Sequence, residues 1–231
     1  GTAAGGYQLD VVPDSVWYIW AAYEMPGENR YYQSDVATVH VAEAGVSVIQ
    51  DLTLTLATER LPDTDCWSFD PLASKRLELP AYGALPAPLV VIPAGAMPVT
   101  GTVQICATPH KSLPRGHHVL GFGYELEARD ANGTIINEDF NNSVRLTFYY
   151  NQELIARIYG SDFDPEDLQP AYYSTVRQEW VALEDAHVDT EDQFVTGKLD
   201  HFSKMGILSK MGILSSSESV IYLPVVLRTS P

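Results

Sequence analysis

Alternation of apolar and polar residues with a period of two is the feature that most constrains what this chain can fold into. One run places four apolar side chains at alternate positions: Leu120, Phe122, Tyr124 and Leu126. The same spacing recurs at 52–56 and at 144–148. A helix would need apolar residues three or four positions apart, so these runs predict strands. Residues 16–21 are apolar or aromatic throughout, which predicts a strand buried on both faces.

The turn-forming residues between these runs favour an all-β architecture. The chain has 16 Gly and 15 Pro, which are typical of short turns between strands. Residues 130–134 (DANGT) place Asn-Gly where a hairpin turn needs a positive φ angle. Short helices are expected at 151–160 or at 164–170, the latter capped by Asp164, whereas the proline-rich segment 59–98 is predicted to be irregular. We predict one or two antiparallel Ig-like β-sandwich domains with a tethered C-terminal strand.

Turn-rich and serine-rich stretches divide the chain into three predicted parts. The link PHKSLPRGHH (109–118) separates an N-terminal β-sandwich at 1–110 from an Ig-like β-sandwich at 111–214. The part 215–231 begins as a serine linker and ends in an apolar strand. The residues of this predicted assembly strand are Val220, Ile221, Tyr222, Leu223, Val225, Val226 and Leu227. Pro224 cannot donate a ladder hydrogen bond, so the strand is expected at a sheet edge.

The charge of the chain excludes two classes of partner. The net charge is −16 and the pI is about 4.5. Nucleic acid and anionic membranes repel an acidic surface, so we expect neither as a partner. The longest wholly apolar run is far shorter than the roughly 20 residues of a membrane helix, so no membrane span is expected.

The cysteines and the opening residues bear on the compartment. Cys66 and Cys106 are predicted either to form a disulfide across two strands in an oxidising compartment or to remain two buried thiols. The chain opens with GTAAGG, which is typical of a mature N-terminus left after processing. The lack of a signal peptide therefore does not favour the cytosol.

Several short motifs in the second half resemble a known module. GHHVLGFGYELEARDANGTIINEDFNNSVRLTFYYN is followed by DPEDLQPAYYS, EWVAL and LDHFSKMGIL. This order resembles the modules of large secreted and surface proteins of filamentous Chloroflexota, and the ending IYLPVVLR is similar to the YLPLVLR terminus of many such exported proteins. The resemblance covers about residues 85–231. It implies an extracellular or cell-surface location and an Ig-like β-sandwich.

A second resemblance concerns the segment His201-Phe202-Ser203. VIPAGAMP followed later by HFS is similar to ZU5-type autoprocessing domains, which cleave themselves between Phe and Ser. The resemblance implies Ser203 as the nucleophile, His201 as its base and the Phe202 carbonyl as the target. Such chemistry needs a strained backbone and a base within reach. The alternative is that Phe202 plugs the core without cleavage.

Acidic and aromatic residues offer two further candidate sites. Four acidic side chains are candidate ligands of Ca²⁺: Asp162, Asp164, Glu166 and Asp167. Their spacing is not that of an EF-hand, and a solvated loop with a helix cap is the competing interpretation. Three aromatic side chains can stack on sugars or fill a sandwich core: Tyr172, Tyr173 and Trp180. The sequence contains no Gly-x-Ser-x-Gly motif and no phosphate loop, so we expect no enzyme activity and no cofactor beyond Ca²⁺.

The terminal strand decides between the remaining functions. We expect a non-enzymatic extracellular structural protein, the subunit of a surface filament or layer, which self-assembles into a homopolymer by strand donation. The alternatives are a glycan- or cell-binding adhesion module of a secreted protein, and a domain that cleaves itself at Phe202-Ser203. The alternative to donation is that the strand folds back onto its own chain.

Overall fold

Strands dominate the computed structural model of this chain, which describes residues 15–43, 48–114, 118–159, 163–209 and 218–224. An α-helix, α1 (Gln152–Tyr159), and a 3-10 helix (Pro165–Asp167) lie among them. In chain order, the strands of the described residues are β1 (Ser15–Glu24), β2 (Tyr31–Gln33), β3 (Ala37–Val41), β4 (Thr55–Leu56), β5 (Asp65–Phe69), β6 (Lys75–Glu78), β7 (Leu89–Ile92), β8 (Val103–His110), β9 (His118–Arg129), β10 (Val144–Tyr149), β11 (Leu168–Ser174), β12 (Glu179–Ala182), β13 (Glu184–Asp189), β14 (Phe194–Leu199), β15 (Lys204–Ser209) and β16 (Glu218–Pro224). The predicted all-β fold class is confirmed.

Two antiparallel sheets pack together and enclose the main hydrophobic core. The six-stranded sheet has the order β12-β11-β15-β9-β8-β5, and the five-stranded sheet has the order β13-β14-β10-β7-β6. Ile105 and Tyr124 of the first sheet and Val90, Leu146 and Phe148 of the second are buried in one cluster. The rings of Tyr124 and Phe148 lie 6.1 Å apart between centroids. Each such side chain contributes about 1.5–3 kcal/mol when it leaves water, so this core is the main source of stability.

Alternation in the sequence becomes alternation in burial. In β10, Val144, Leu146 and Phe148 are buried, whereas Arg145 is exposed and Thr147 is partly buried. Strand β8 shows the same period, with every second residue buried. The pattern therefore locates the strands of the sandwich and identifies which face of each one meets the core.

The predicted Asn-Gly hairpin turn is present. Asp130 accepts hydrogen bonds from the backbone N–H groups of Asn132 and Thr134 at 2.9 Å each, and Gly133 has a φ angle of +82°. Arg129 and Ile135 form an antiparallel bridge, and the backbone N–H groups of Asp130 and Ile136 donate to the carbonyls of Thr134 and Ala128 at 2.9 Å each. The predicted hairpin turn is therefore confirmed, although the hairpin is short and the next strand, β10, lies in the other sheet of the sandwich.

Two stretches of the first half differ from their predictions. The proline-rich segment 59–98 contains β5, β6 and β7, so the prediction of an irregular segment is wrong. These strands have only four or five residues, which is too short for a period of two to stand out. Conversely, the strand predicted at 52–56 is reduced to the two residues of β4. Leu52 and Leu54 pack against a small core without joining a ladder.

Both of the short helices considered from the sequence are present. The Asp164 carboxylate accepts a hydrogen bond from the Glu166 backbone N–H at 2.9 Å, and Pro165 occupies the first turn of the 3-10 helix. This is the capping arrangement predicted for that segment. At the start of α1, the Asn151 side chain accepts a hydrogen bond from the Leu154 N–H at 2.9 Å.

A third sheet lies beside the sandwich and is built around β1. Its order is β16-β1-β2-β4, and β3 also pairs with β1. On one face of β1, Trp17, Ile19 and Ala21 form a second, smaller core with β3. On the other face, Trp20 and Ala22 belong to the main core. The prediction of a strand buried on both faces is confirmed.

Strands from either side of residue 110 are interleaved in the sandwich. Strand β8, which ends at His110, pairs with β9, and β7 pairs with β10. The division predicted between the parts 1–110 and 111–214 therefore falls between two hydrogen-bonded strands. The predicted terminal part, 215–231, contributes β16 to the sheet of β1.

Candidate functional site

The ladder between β1 and β16 is the feature of the molecule with the clearest functional content. It runs in parallel from Val16 opposite Glu218 to Ala22 opposite Pro224. Every other strand pair in the described part of the chain is antiparallel. A tight turn cannot close a parallel pair, and here the whole sandwich separates the two strands in sequence.

Strand β16 lies at the edge of its sheet. The other side of β1 pairs with β3 along residues 15–19 and with β2 along residues 22–24, so β16 covers the side that remains. Pro224 is the last residue of the ladder, where the missing N–H is least disruptive. Residues 220–223 of the predicted assembly strand lie in this ladder, whereas three of its members lie outside the described residues: Val225, Val226 and Leu227.

The link from the sandwich to β16 is long. Strand β15 ends at Ser209 and β16 begins at Glu218, and residues 210–217 between them lie outside the described residues. Nine steps along the backbone reach about 30 Å when fully extended. A link of that length places few geometric limits on which sheet edge the strand can reach.

A polar cluster fixes the end of β1 to the sandwich. The Glu24 carboxylate accepts hydrogen bonds from the backbone N–H groups of Lys111 and Ser112. It also pairs with His110 Nδ1 at 3.0 Å, and His110 Nε2 lies 3.2 Å from a carboxylate oxygen of Glu125. We call Glu24, His110 and Glu125 the Glu24 joint. It connects strands β1, β8 and β9, so it holds the third sheet against the six-stranded sheet.

The Glu24 joint is charged over most of the pH range. Burial opposes the charge of His110, but hydrogen bonds to Glu125 and Glu24 outweigh it and raise the pKa of the imidazole to about 9. Burial likewise opposes the charge of Glu24, yet the bonds from His110, Ser112 and Lys111 hold its pKa below the ordinary value. The hydrogen bond from His110 also lowers the pKa of Glu125. The joint is therefore an imidazolium held between two carboxylates.

A buried lysine reinforces the same contact. Lys111 is 9% exposed, and its ammonium lies 5.5 Å from the ring centroid of Tyr31 and 4.8 Å from that of Tyr82. The two tyrosine hydroxyls lie 2.6 Å apart. Burial lowers the pKa of Lys111 to about 8, although the nearby Glu59 carboxylate opposes this shift. Because Tyr31 belongs to β2, these contacts join the third sheet to the sandwich at a second point.

Sequence reasoning missed this polar cluster. Glu24 and His110 are 86 residues apart, and neither stands in a motif that relates them. The only local signal is a carboxylate at the end of an otherwise apolar strand, which here accepts backbone N–H groups that would otherwise be unpaired.

The His201-Phe202-Ser203 segment is bonded to its surroundings. The Ser203 hydroxyl donates to the Tyr173 carbonyl at 2.8 Å, and the His201 ring nitrogen Nδ1 lies 2.6 Å from Asp200 Oδ1. The rings of Phe202 and Phe140 are 4.8 Å apart between centroids. Among the described residues other than glycine, a positive φ occurs at Gln178, Asp185 and Gln193, and not in this segment. These contacts favour a core plug, and self-cleavage stays a prediction.

The side chains best placed to bind a metal are not the set of acidic residues predicted from the sequence. Of the candidate Ca²⁺ ligands, Asp162 lies outside the described residues and Asp164 caps the 3-10 helix. In the described part of the chain, the group whose ligand atoms all lie within 4.8 Å of one another is Asp139, Asp200 and His201. Two carboxylates and an imidazole suit a divalent transition metal. Two of the three come from the turn before β15, and Asp139 lies more than 60 residues earlier.

The aromatic residues considered for sugar stacking are packed. The Trp180 indole N–H donates to the Pro114 carbonyl at 3.2 Å, and its ring lies 5.5 Å from that of Tyr173 in an edge-to-face arrangement. The Tyr172 ring contacts the His201 ring at 4.6 Å. Tyr172 and Trp180 also pack against the main core, so these side chains do not form an open platform.

The two cysteines form a disulfide. Cys66 in β5 and Cys106 in β8 are directly opposite each other, with a Cα–Cα distance of 4.1 Å. The prediction of a bond across two strands is confirmed, and the alternative of two buried thiols is wrong. The bond ties the edge strand of the six-stranded sheet to its neighbour.

Comparison with known proteins leaves the geometry as the main guide to function. No protein-family model matches the chain, and no curated protein matches it significantly. Within the described residues, no helix has both the length and the apolar character needed to cross a membrane.

Proposed function

We propose that this chain is a non-enzymatic extracellular structural protein, the subunit of a surface filament or layer whose copies assemble by donating the C-terminal strand. The observation that carries the proposal is the ladder that β16 forms along β1 of its own chain, which is the pairing that a donated strand would make on a second copy. A strand on a long link completes a sheet through backbone hydrogen bonds. A sheet edge is a template for any extended chain, and main-chain bonds provide affinity without a specific side-chain motif.

The composition of the strand supports donation. Residues 220–223 (VIYL) are apolar at successive positions. Exposure of either face of the strand to water is therefore unfavourable. Burial of each large apolar side chain returns about 1.5–3 kcal/mol. Its partner β1 is itself buried on both faces, and an added strand extends both of these apolar layers.

The disulfide supports an extracellular location. The bond between Cys66 and Cys106 is of a kind that persists in oxidising compartments. An assembled surface protein is exposed to proteases and changing solvent, and a covalent link at the edge of the six-stranded sheet resists local opening there. This supports the proposed compartment independently of the strand.

Deletion of residues 219–231 tests the proposal. At high protein concentration, the purified full chain is expected to form filaments or ordered sheets in negative-stain microscopy, and the truncated chain is expected to remain folded and monomeric. Light scattering measures the mass, and far-UV circular dichroism shows whether the sandwich is retained. Deletion of only 229–231, beyond the predicted strand, is the matched control and should assemble like the full chain. Assemblies that persist unchanged after deletion of 219–231 would refute strand donation.

A further inference from the structure

The edge of β1 beside β16 has the properties of a binding site for a second strand. We infer that this edge is the acceptor for the donated strand, and that the partner is a second copy of this chain, whose β16 binds in the same parallel register. The inference rests on the proposed strand donation and specifies where the strand binds. In a single chain, the molecule's own β16 then occupies and blocks its own acceptor.

The register matches apolar residues of the two strands. Ile221 is opposite Ile19, and Leu223 is opposite Ala21. Ile19 and Ala21 are almost fully buried, as is Trp20 on the other face of β1. Along residues 220–223 the donor is apolar at successive positions, and these residues pair with the apolar residues 18–21 of β1. The polar residues Glu218 and Ser219 precede this stretch, opposite Val16 and Trp17.

Several of the other edge strands of the described chain carry charged residues that discourage strand addition. The edge strand β6 contains Lys75 and Arg76, and β13 contains Glu184 and Asp185. The edge strand β12 begins with Glu179, which is exposed. Charged side chains on edge strands are a common means of preventing pairing with other chains. The edge strands β3 and β4 carry no Asp, Glu, Lys or Arg, but they have only five and two residues. Strand β1 is both uncharged along the ladder and ten residues long, which favours the β1 edge as the acceptor.

Binding within one chain competes with binding between chains. The backbone ladder is the same in both cases, so the balance depends on concentration. A link of this length holds the strand at an effective concentration on the order of millimolar. At micromolar protein concentration, binding within the chain is therefore favoured by about a thousandfold. We expect exchange to need a high local concentration or prior release of β16.

The way in which copies exchange strands determines the product. Two copies that exchange β16 reciprocally form a closed dimer, whereas donation in one direction leaves an open acceptor and an open donor at the two ends. The open arrangement extends without limit and is the one required by the proposed filament or layer.

Thiol crosslinking between two variants tests the acceptor directly. Val16→Cys and Glu218→Cys place one thiol on each strand at positions that are opposite in the ladder. The two variants are mixed in mild denaturant, returned to native buffer and treated with a short thiol-specific crosslinker. We expect linked pairs of chains on a denaturing gel, at least tenfold more abundant at millimolar than at micromolar protein concentration. The control mixes Val16→Cys with Tyr222→Cys, which is four residues out of register and about 13 Å further along the strand. It should give no more product than either variant alone.

A chain with both substitutions supplies an independent measurement. In dilute solution, Val16→Cys combined with Glu218→Cys should link within one chain and hold β16 on its own β1. The linked chain is expected to lose assembly, whereas the same variant left unlinked should assemble like the full chain. Assembly of the linked chain at the normal level would overturn the inference.

The outcomes separate this inference from the proposed function. Suppose that deletion of 219–231 abolishes assembly, but Val16→Cys and Glu218→Cys give no linked pairs. The strand is then donated to another acceptor. Donation then stands and the inference fails. Linked pairs that form only closed dimers support the acceptor and refute the filament or layer.

Discussion

The sandwich and the third sheet bury apolar surface in different ways. In the sandwich, strands that alternate along the chain are held by antiparallel neighbours, and large side chains from both sheets meet in one core. In the third sheet, β1 is completed by a strand that returns after the whole sandwich and pairs in parallel. The sandwich is stable through the cooperation of many elements, whereas β16 is joined to the third sheet by one ladder at its edge.

This difference separates stability from assembly. Local opening of a protein takes place where few buried contacts have to be broken. Release of β16 breaks a ladder of seven residue pairs and leaves the sheets of the sandwich intact. A strand held in this way can be exchanged between copies without unfolding the rest of the molecule. The comparison therefore predicts that substitutions in the sandwich change the free energy of unfolding. Substitutions around β1 should instead change how readily the third sheet opens and how readily β16 is exchanged.

Removal of a large core side chain should have the largest effect. Phe148 is buried between the two sheets of the sandwich. Phe148→Ala is expected to lower the free energy of unfolding by about 3–5 kcal/mol, because the lost apolar burial and the remaining cavity both destabilise the folded state. Urea unfolding followed by circular dichroism measures the change. Leu72→Ala, at a residue that is 78% exposed, is the control and should stay within about 0.5 kcal/mol. A loss below 1 kcal/mol at Phe148 would mean that the sandwich core does not dominate stability.

Removal of the disulfide should weaken the sandwich without affecting strand exchange. Cys66 and Cys106 are 40 residues apart, and the bond limits the freedom of the unfolded chain. Replacement of both by Ala is expected to cost about 2–4 kcal/mol. The bond lies between β5 and β8, away from the ladder of β16, so the amount of assembly should not change. Loss of assembly in a variant that remains folded at the assay temperature would show that the two regions are coupled.

Most of the sandwich is predictable from the sequence because burial in a strand has a period of two. The alternation around Phe122 and Leu146 locates β9 and β10, and the apolar run at 16–21 locates a strand covered on both sides. The sheet to which each strand belongs is not predictable in this way. The turn at Gly133 closes only a short antiparallel bridge between Arg129 and Ile135, and the next strand, β10, joins the other sheet. Short strands such as β6 contain too few residues to show the pattern.

The candidate site is predictable only in part. The terminal strand and its edge position follow from its apolar residues and from Pro224. Its partner does not, because strand pairing depends on which edges are left open by the rest of the fold. The polar contacts of Glu24 and Lys111 are also hidden, since each links residues that are far apart in sequence. Pairwise contacts of this kind leave no periodic pattern along the chain.

Substitution of Glu24 should loosen the third sheet without unfolding the sandwich. Glu24→Ala removes the partner of His110 and leaves the N–H groups of Lys111 and Ser112 without their acceptor. We expect a loss of about 2–3 kcal/mol, in the range measured for buried charged groups that lose a partner. Hydrogen exchange read by mass spectrometry should become faster in β1 and β16 and stay unchanged in β10. Glu24→Gln keeps one acceptor oxygen and should recover part of the protection. Equal acceleration in β1 and β10 would show that the two regions open together.

The pH dependence of the Glu24 joint should have a smaller effect. The pKa of His110 is about 9 in the folded chain, compared with 6.5 ordinarily. Its contribution is therefore complete below pH 6.5 and is lost as the pH rises towards 9. The pKa values of Glu24 and Glu125 are lowered, so their contribution is present above about pH 4.5 and is lost as the pH falls. The joint should hold β1 most strongly between about pH 4.5 and 6.5.

Lys111 gives this profile a distinctive shape. Its pKa is about 8 in the folded chain and 10.5 ordinarily, so its burial is unfavourable below pH 8 and the penalty disappears as the pH rises to 10.5. His110 weakens the contact between pH 6.5 and 9, and Lys111 strengthens it above pH 8. We expect the stability of the third sheet to fall by about 1–2 kcal/mol from pH 6.5 to 8, to level off between pH 8 and 9, and to rise from pH 9 towards 10.5.

Two substitutions separate these contributions. His110→Gln should remove the fall between pH 6.5 and 8, because Gln does not titrate. Lys111→Met should remove the levelling off, so that the stability continues to decline to pH 9. Both are read from hydrogen exchange of β1, corrected for the intrinsic effect of pH on exchange, with β10 as the internal reference. An unchanged profile in His110→Gln would show that the imidazole does not hold the third sheet. A matching change in β10 would assign the titration to the sandwich, and the contrast between the two regions would then be lost.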